Sequence, residues 1–220
     1  MMQKYFFIAL FVTTSFTCFS QQIDKDFLLL KQRMDSVSSF TAKLVLDVDI
    51  SFINMPTKQA TLNYNRGKRM KIDAKDFVLL PKRGLDFSLN SLTEYPYITV
   101  DRGKEVKNGR LCKVLNIIPT DPKADFSIAT VWLDQKAKRL HTTEINTKKD
   151  GAYQMALEYK KAKDVLPQKV EVSFEIEKLK IPVNFLGKGS SIDRKKMKAT
   201  AVKKGKIYLL LSYASIKMAV

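Results

Sequence analysis

The sequence predicts a mainly β protein built on one curved antiparallel sheet, an unclosed β-barrel of about ten or eleven strands with an N-terminal amphipathic helix as a lid. Three observations carry this. Phe40, Ala42, Leu44, Leu46, Val48, Ile50 and Phe52 are apolar at every second position, with Thr41, Lys43, Val45, Asp47, Asp49 and Ser51, mostly polar, between them. Most of the chain from Ala60 to Ile216 repeats that alternation in short runs broken by turn residues. Helical spacing is clear in one stretch, Asp24 to Ser39.

Strict alternation puts the two residue sets on opposite faces of a strand. From Phe40 to Phe52, at ~3.3 Å per residue, the strand would reach on the order of 40 Å, about twice the usual length. A strand of that length suits a half-barrel wrapped around an apolar interior. Whether its own side chains fill that interior or leave room for a ligand is the functional question.

The first twenty residues read differently. Lys4 precedes the apolar run YFFIALFVTTSF, and Ser20 supplies a small residue at a cleavage point. This is the pattern of a secretory signal, too short for a membrane span, which needs about 20 apolar residues. The expectation is cleavage after Ser20, within Thr17 to Gln22, followed by a single exported domain over residues 21–220. Acylation at Cys18 is the alternative, and Phe16 and Thr17 fit a lipoprotein signal poorly. After cleavage only Cys112 remains, so no internal disulfide can form.

From Asp24, the residues Ile23, Phe27, Leu30, Met34 and Val37 recur at spacings of three and four. That is one apolar helix face, and Asp24 or Asp26 can cap its start. Such a helix can lie across the mouth of the half-barrel. Asn54-Met55-Pro56-Thr57 and Asn65-Arg66-Gly67-Lys68 read as turns around strands at Ala60–Tyr64 and Met70–Ala74. Phe77 to Pro81 is a third apolar run, and Lys82 to Leu92 a short helix or ordered loop. Further strands are expected at Tyr97–Asp101, Leu111–Ile118 and Ser127–Leu133, with turns at Arg102-Gly103 and Lys107-Asn108-Gly109 between the first two. Lys138–Ile145 and Ala152–Tyr159 form a hairpin through Asp150-Gly151. Val170–Glu177 alternates cleanly. Ile181-Pro182-Val183 breaks the pattern, Phe185–Lys206 is a long basic connection, and Gly205–Ile216 is the last strand.

The composition excludes several functions. Hydrophobic residues make up 45% of the chain, which is ordinary for a folded protein and argues against disorder. His141 is the only histidine and reads as a surface strand residue, so no zinc site is expected. No nucleophile elbow and no phosphate loop are present. Asp47 and Asp49 could pair as catalytic carboxylates, but they also fit a solvated outer face beside basic neighbours. Cys112, among apolar neighbours, reads as a small core residue. The chain is therefore read as non-enzymatic, without metal or cofactor.

The net charge of +17 suits either solubility or attraction to an anionic surface. Export argues against nucleic acid. The densest run, Arg194, Lys195, Lys196 and Lys198 with Lys203 and Lys204, is a candidate docking patch for a membrane surface or an envelope protein partner. Each such charge is worth about 1 kcal/mol near an acidic membrane. A solvated loop is the plainer alternative.

The order of parts resembles the periplasmic outer-membrane lipoprotein carriers and lipoprotein-sorting proteins, the LolA-like family. The resemblance rests on the helix ending Met34-Asp35-Ser36-Val37-Ser38-Ser39-Phe40 and on the long strand after it. Leu62-Asn63-Tyr64, Arg69-Met70-Lys71-Ile72, Phe77-Val78-Leu79-Leu80-Pro81 and Thr130-Val131-Trp132-Leu133-Asp134 follow. It covers residues 24–180. It implies a helix-capped, unclosed barrel in the periplasm whose apolar cavity receives lipoprotein acyl chains or lipid for transfer towards the outer membrane; a monomer is expected. The segment 181–220 is longer and more basic than the resemblance implies, and no gating arginine can be matched. The candidate cavity residues are Leu44, Leu46, Val48, Ile50, Phe52, Leu62, Tyr64, Met70 and Ile72. The rival reading is an envelope interaction protein with a filled core and a basic docking surface.

Overall fold

The computed structural model describes residues 23–68, 70–75, 89–149, 151–176 and 186–219. The expected signal and its cleavage point, the Phe77–Pro81 run, the Ile181-Pro182-Val183 break and most of Lys82 to Leu92 lie outside them.

The chain starts with α1 (Lys25–Asp35) and β1 (Val37–Asp49). A short β2 (Ile53–Asn54), β3 (Lys58–Asn65), β4 (Lys71–Ala74) and a single helical turn α2 (Asn90–Thr93) follow. The next run is β5 (Tyr97–Lys107), β6 (Arg110–Pro119), β7 (Phe126–Asp134), β8 (Arg139–Thr147), β9 (Ala152–Glu158) and β10 (Lys169–Ile176). β11 (Ser191–Ile192), α3 (Arg194–Ala199) and β12 (Lys203–Met218) complete it.

Ten strands form one antiparallel sheet in the order β4-β3-β1-β12-β10-β9-β8-β7-β6-β5, and β2 and β11 make a separate ribbon. The edge strands β4 and β5 do not pair with each other, so the barrel is open, as expected. The last strand, β12, inserts between β1 and β10 and ties the two ends of the chain together. β1 is 13 residues long, the length expected, but it starts and ends three residues earlier.

Both ends of that shift have a local cause. Asp24 caps α1, its carboxylate accepting from the Asp26 and Phe27 amides, and the helix closes where the Ser36 amide bonds the Gln32 carbonyl. Val37, Ser38 and Ser39 are poor helix formers and enter the sheet instead, Val37 opposite Met218. At the far end the chain turns at Ser51 and Phe52, and Ile53 bonds back to Ile50. A Cβ on Gly205 would lie 2.5 Å from Ile50 Cγ1 and 2.9 Å from the Phe174 ring. The bare glycine leaves the gap that Ile50 and Phe174 fill. The turn therefore comes before Asn54, which pairs with Ser191 in the ribbon rather than turning the chain.

β5 runs through Arg102-Gly103, read from sequence as a turn. The register shifts between Asp101 and Lys104, and the Asp101 carboxylate accepts from the Gly103 amide at 2.7 Å. This is a bulge, with Gly103 at φ 85°. Asn108 and Gly109, both at positive φ, make the tight hairpin turn that Asn-Gly predicts. The basic connection is also more ordered than expected, since it holds β11 and α3 and β12 starts at Lys203.

Candidate functional site: the concave face and its helix

Cross-strand registers fix which side chains share the concave face. Leu44 faces Ala60 and Leu211, Leu46 faces Leu209, and Ala42 faces Leu62. The row continues from Leu209 to Val170 and Leu157, and from Ile207 through Val172 and Met155 to Thr143, Val131 and Leu115. An apolar surface thus runs without a break from β3 to β6. The buried face of α1, Phe27, Leu30 and Met34, belongs to the same core.

The sequence-derived cavity residues fall into three groups. Leu44, Leu46 and Leu62 have no exposed surface at all, and Ile50 and Phe52 are buried beyond the end of β1. Val48, Tyr64 and Met70 are half-buried and pack against the core. Ile72, opposite Leu62, is 42% exposed on the short edge strand β4. Tyr64 stacks on Phe40 at 5.1 Å between centroids, and Tyr213 meets Phe40 edge-on. Register therefore brings Leu44, Leu46, Val48, Leu62, Tyr64 and Ile72 onto one surface, while Ile50 and Phe52 sit at its rim.

One residue of this row also carries a polar atom. Thr143 is fully buried, and its Oγ1 has no hydrogen-bond partner among the described residues. An unpaired buried hydroxyl costs about 1–3 kcal/mol. Thr143→Val, nearly isosteric, is therefore expected to raise the melting temperature by a few degrees in a calorimetric scan.

Polar contacts hold α1 over this face at both ends. At its start Lys113 of β6 places Nζ 2.6 Å from Asp24, 3.0 Å from Asp26 and 3.4 Å from Asp101. The Asp24 amide donates to Thr99 Oγ1, and Phe27 meets Tyr97 edge-on. Burial alone would depress the Lys113 pKa, but the hydrogen bonds to Asp24 and Asp26 override it and push it above the ordinary lysine range. The Lys113 hydrogen bond holds Asp26 below the usual carboxylate range, against its own burial. At the other end the Arg33 guanidinium donates to the carbonyls of Ala137, Lys138 and Lys163. Neither clasp was legible in the sequence, because Lys113 lies 89 positions from Asp24 and Arg33 104 from Ala137.

The basic segment is gathered on α3 and the start of β12. Arg194, Lys195, Lys196 and Lys198 are exposed, and Met197 packs inward. Lys203 is half-exposed. Lys204 and Lys206 pair with Glu175 and Glu171 of β10 at 3.0 and 2.8 Å, so those two charges are partly spent within the sheet. Asp47 and Asp49 are exposed on the outer face. His141 is the extra residue of a bulge against β7; burial first, then the nearby Arg110, lowers its pKa. Cys112 packs with Val114 and Trp132 on the convex side, and burial raises its thiol pKa. Among the described residues no group of His, Cys, Asp and Glu could hold a metal, and no helix is long and apolar enough to cross a membrane.

With this geometry in place, the chain can be compared with known proteins. It is similar to structures of the LolA superfamily. A LolA superfamily protein from Nitrosomonas europaea aligns over 88% of this chain and 93% of its own, at 10% identity and a TM-score of 0.47. A domain described as an outer membrane lipoprotein-sorting protein, from Vibrio parahaemolyticus, aligns over 88% and 90%, at 14% identity and a TM-score of 0.45. A DUF1329 family protein from Desulfovibrio piger aligns over 89% and 92%, at 10% identity and a TM-score of 0.47. No family model matches the chain, and no curated protein sequence does.

Proposed function

We propose that the protein is a periplasmic, non-enzymatic carrier that holds a lipid or the acyl chains of a lipoprotein on its concave face. The supporting observation is the unbroken apolar surface of an open ten-strand sheet, covered by a helix that polar clasps at each end hold in place. Swinging α1 outward would uncover a surface around Leu44, Leu46, Val48 and Leu62, with Tyr64, Met70 and Ile72 towards the β4 edge and Ile50 and Phe52 at the rim. Each CH₂ buried there is worth about 0.8 kcal/mol, so a long acyl chain can offset the loss of the helix contacts. Transfer towards the outer membrane would follow from release of the chain to a receptor.

A second reading has its own support. Leu44, Leu46 and Leu62 are completely covered, as in a filled core. On that reading the protein is an envelope interaction protein that docks through Arg194, Lys195, Lys196, Lys198, Lys203 and Lys204. Native mass spectrometry of protein purified from a periplasmic extract separates the two. The carrier is expected to show added masses of phospholipid or acyl chains, together with binding of a fluorescent fatty acid. Bare protein in repeated preparations, with no fatty-acid binding, would leave only the second reading.

A further inference from the structure

β12 has two unlike halves. From Lys206 to Leu210 it is paired on both sides, with β1 and β10, and Lys203 to Gly205 before that pair with β10. β10 begins at Lys169, opposite Leu210, and one further bond joins the Leu211 amide to the Gln168 carbonyl. From Ser212 to Met218 the strand continues along β1 alone, and among the described residues no strand lies on its other side. Exposure follows the pairing: Ala214 to Met218 are all exposed, including Ile216 at 45% and Met218 at 46%. A strand edge left this way presents alternate N–H and C=O groups that another extended chain can pair with.

Beside that edge lies a cleft of about 620 Å³. Its far wall is the β9–β10 connection, which contributes Lys160, Lys161 and Lys163. All three are exposed, and among the described residues no carboxylate lies within ion-pair distance of their ammonium groups. Asp164, the one acid in the wall, is engaged with the amide of Lys161 at 2.8 Å. The wall is also fixed in place. Arg139 donates to the Lys161 carbonyl at 3.0 Å, Arg33 to the Lys163 carbonyl at 2.7 Å, and the Tyr213 hydroxyl to the Pro167 carbonyl at 2.9 Å. A preset cationic wall facing a free strand edge favours an extended, acidic main chain over a bare acyl chain, which would leave the backbone groups of the edge unpaired.

We propose that the free edge of β12 from Ser212 to Met218 takes an extended acidic segment of a partner protein by strand addition, with Lys160, Lys161 and Lys163 meeting its carboxylates. Strand alternation turns every second partner side chain towards Ile216 and Met218, so a sequence alternating acidic and aliphatic residues fits best. The site adjoins the lipid surface proposed above at Leu211 and Tyr213, but strand addition at this edge does not depend on that reading.

The test uses fluorescein-labelled (Glu-Val)5 in anisotropy titrations with the mature protein. Two control peptides are (Lys-Val)5 and (Glu-Val)5 N-methylated at alternate residues. Binding of (Glu-Val)5 is expected to be at least tenfold tighter than either control. It should weaken at least tenfold in the K160E/K161E/K163E variant, whose three substitutions are exposed and leave the fold intact by circular dichroism. Equal binding of the N-methylated peptide would overturn strand addition, and an unchanged affinity in the variant would overturn the site. Failure of (Glu-Val)5 to bind overturns the proposal as well. If lysophosphatidylglycerol then binds the parent protein but not the variant, the cleft is a lipid headgroup site instead.

Discussion

Leu44→Glu is expected to cost most of the protein's stability. Leu44 is fully buried between Leu211 and Ala60, and neither neighbour can pair a carboxylate. The substitution removes the leucine contacts and buries a charge, an effect on the order of 5 kcal/mol or more. A typical domain has about 5–15 kcal/mol in total. The variant should be insoluble, or melt more than ten degrees below the parent by circular dichroism. Leu46→Glu is the matched comparison. Leu46 is equally buried, but its cross-strand partner on β3 is Lys58, itself buried with its ammonium on the Lys188 carbonyl. A glutamate there has a cation within reach and should cost less. A Leu44→Glu variant that melts like the parent would mean that water reaches this surface when α1 is in place. The concave face would then be an open cavity rather than one uncovered by movement of the helix.

The parts of this architecture that could be read from sequence are those with short-range causes. Alternation from Phe40 to Val48 fixed the buried face of β1 correctly, because period-two patterning needs only one covered side. Phe27, Leu30 and Met34 likewise marked the face of α1. Asn108-Gly109 announced its turn through the positive φ it requires. Errors arose where a distant residue decides. The end of β1 depends on the missing side chain of Gly205, more than 150 positions away, whereas alternation alone carries the strand on through Ile50 and Phe52. Arg102-Gly103 has turn composition, but pairing with β6 carries the chain through as a bulge. The lysine run after Phe185 read as one basic patch. The Lys204–Glu175 and Lys206–Glu171 pairs exist only because β12 lies beside β10. The clasps on α1 are the clearest case. A lysine within Leu111–Ile118, otherwise an apolar strand, gives no local sign of the three aspartates it meets.

Lys113→Met is expected to loosen the start of α1 and to change how stability depends on pH. Lys113 is the common partner of Asp24, Asp26 and Asp101, with only 14% of its side chain exposed. Methionine keeps the aliphatic bulk and leaves the three carboxylates without the cation they share. Hydrogen bonds to charged groups contribute about 1.5–3 kcal/mol, so a loss of about 2 kcal/mol is expected. The loss is local, and the amides of Phe27 to Leu30 should exchange with deuterium faster while those of β1 keep their protection. The sign of the pH effect follows from the two shifts. Asp26 has a lowered pKa in the folded protein, so its contribution is complete above its unfolded value of about 3.9 and is lost as pH falls through the folded one. Lys113 has a raised pKa, so its contribution is complete below about 10.4 and is lost as pH rises through the folded value. Between about pH 5 and 9 the parent should therefore show a plateau in the stability provided by this clasp. In Lys113→Met, Asp26 loses the hydrogen bond that holds its pKa down, while its burial, which favours the protonated form, remains. Acidification from pH 5 to 3 should then cost the variant less than the parent, and the gap between them should narrow. Urea titrations at four pH values over that range would show this directly. A gap that stays constant down to pH 3 would mean that the aspartates are solvated independently of Lys113, and that α1 is held over the concave face by Phe27, Leu30, Met34 and the Arg33 clasp alone.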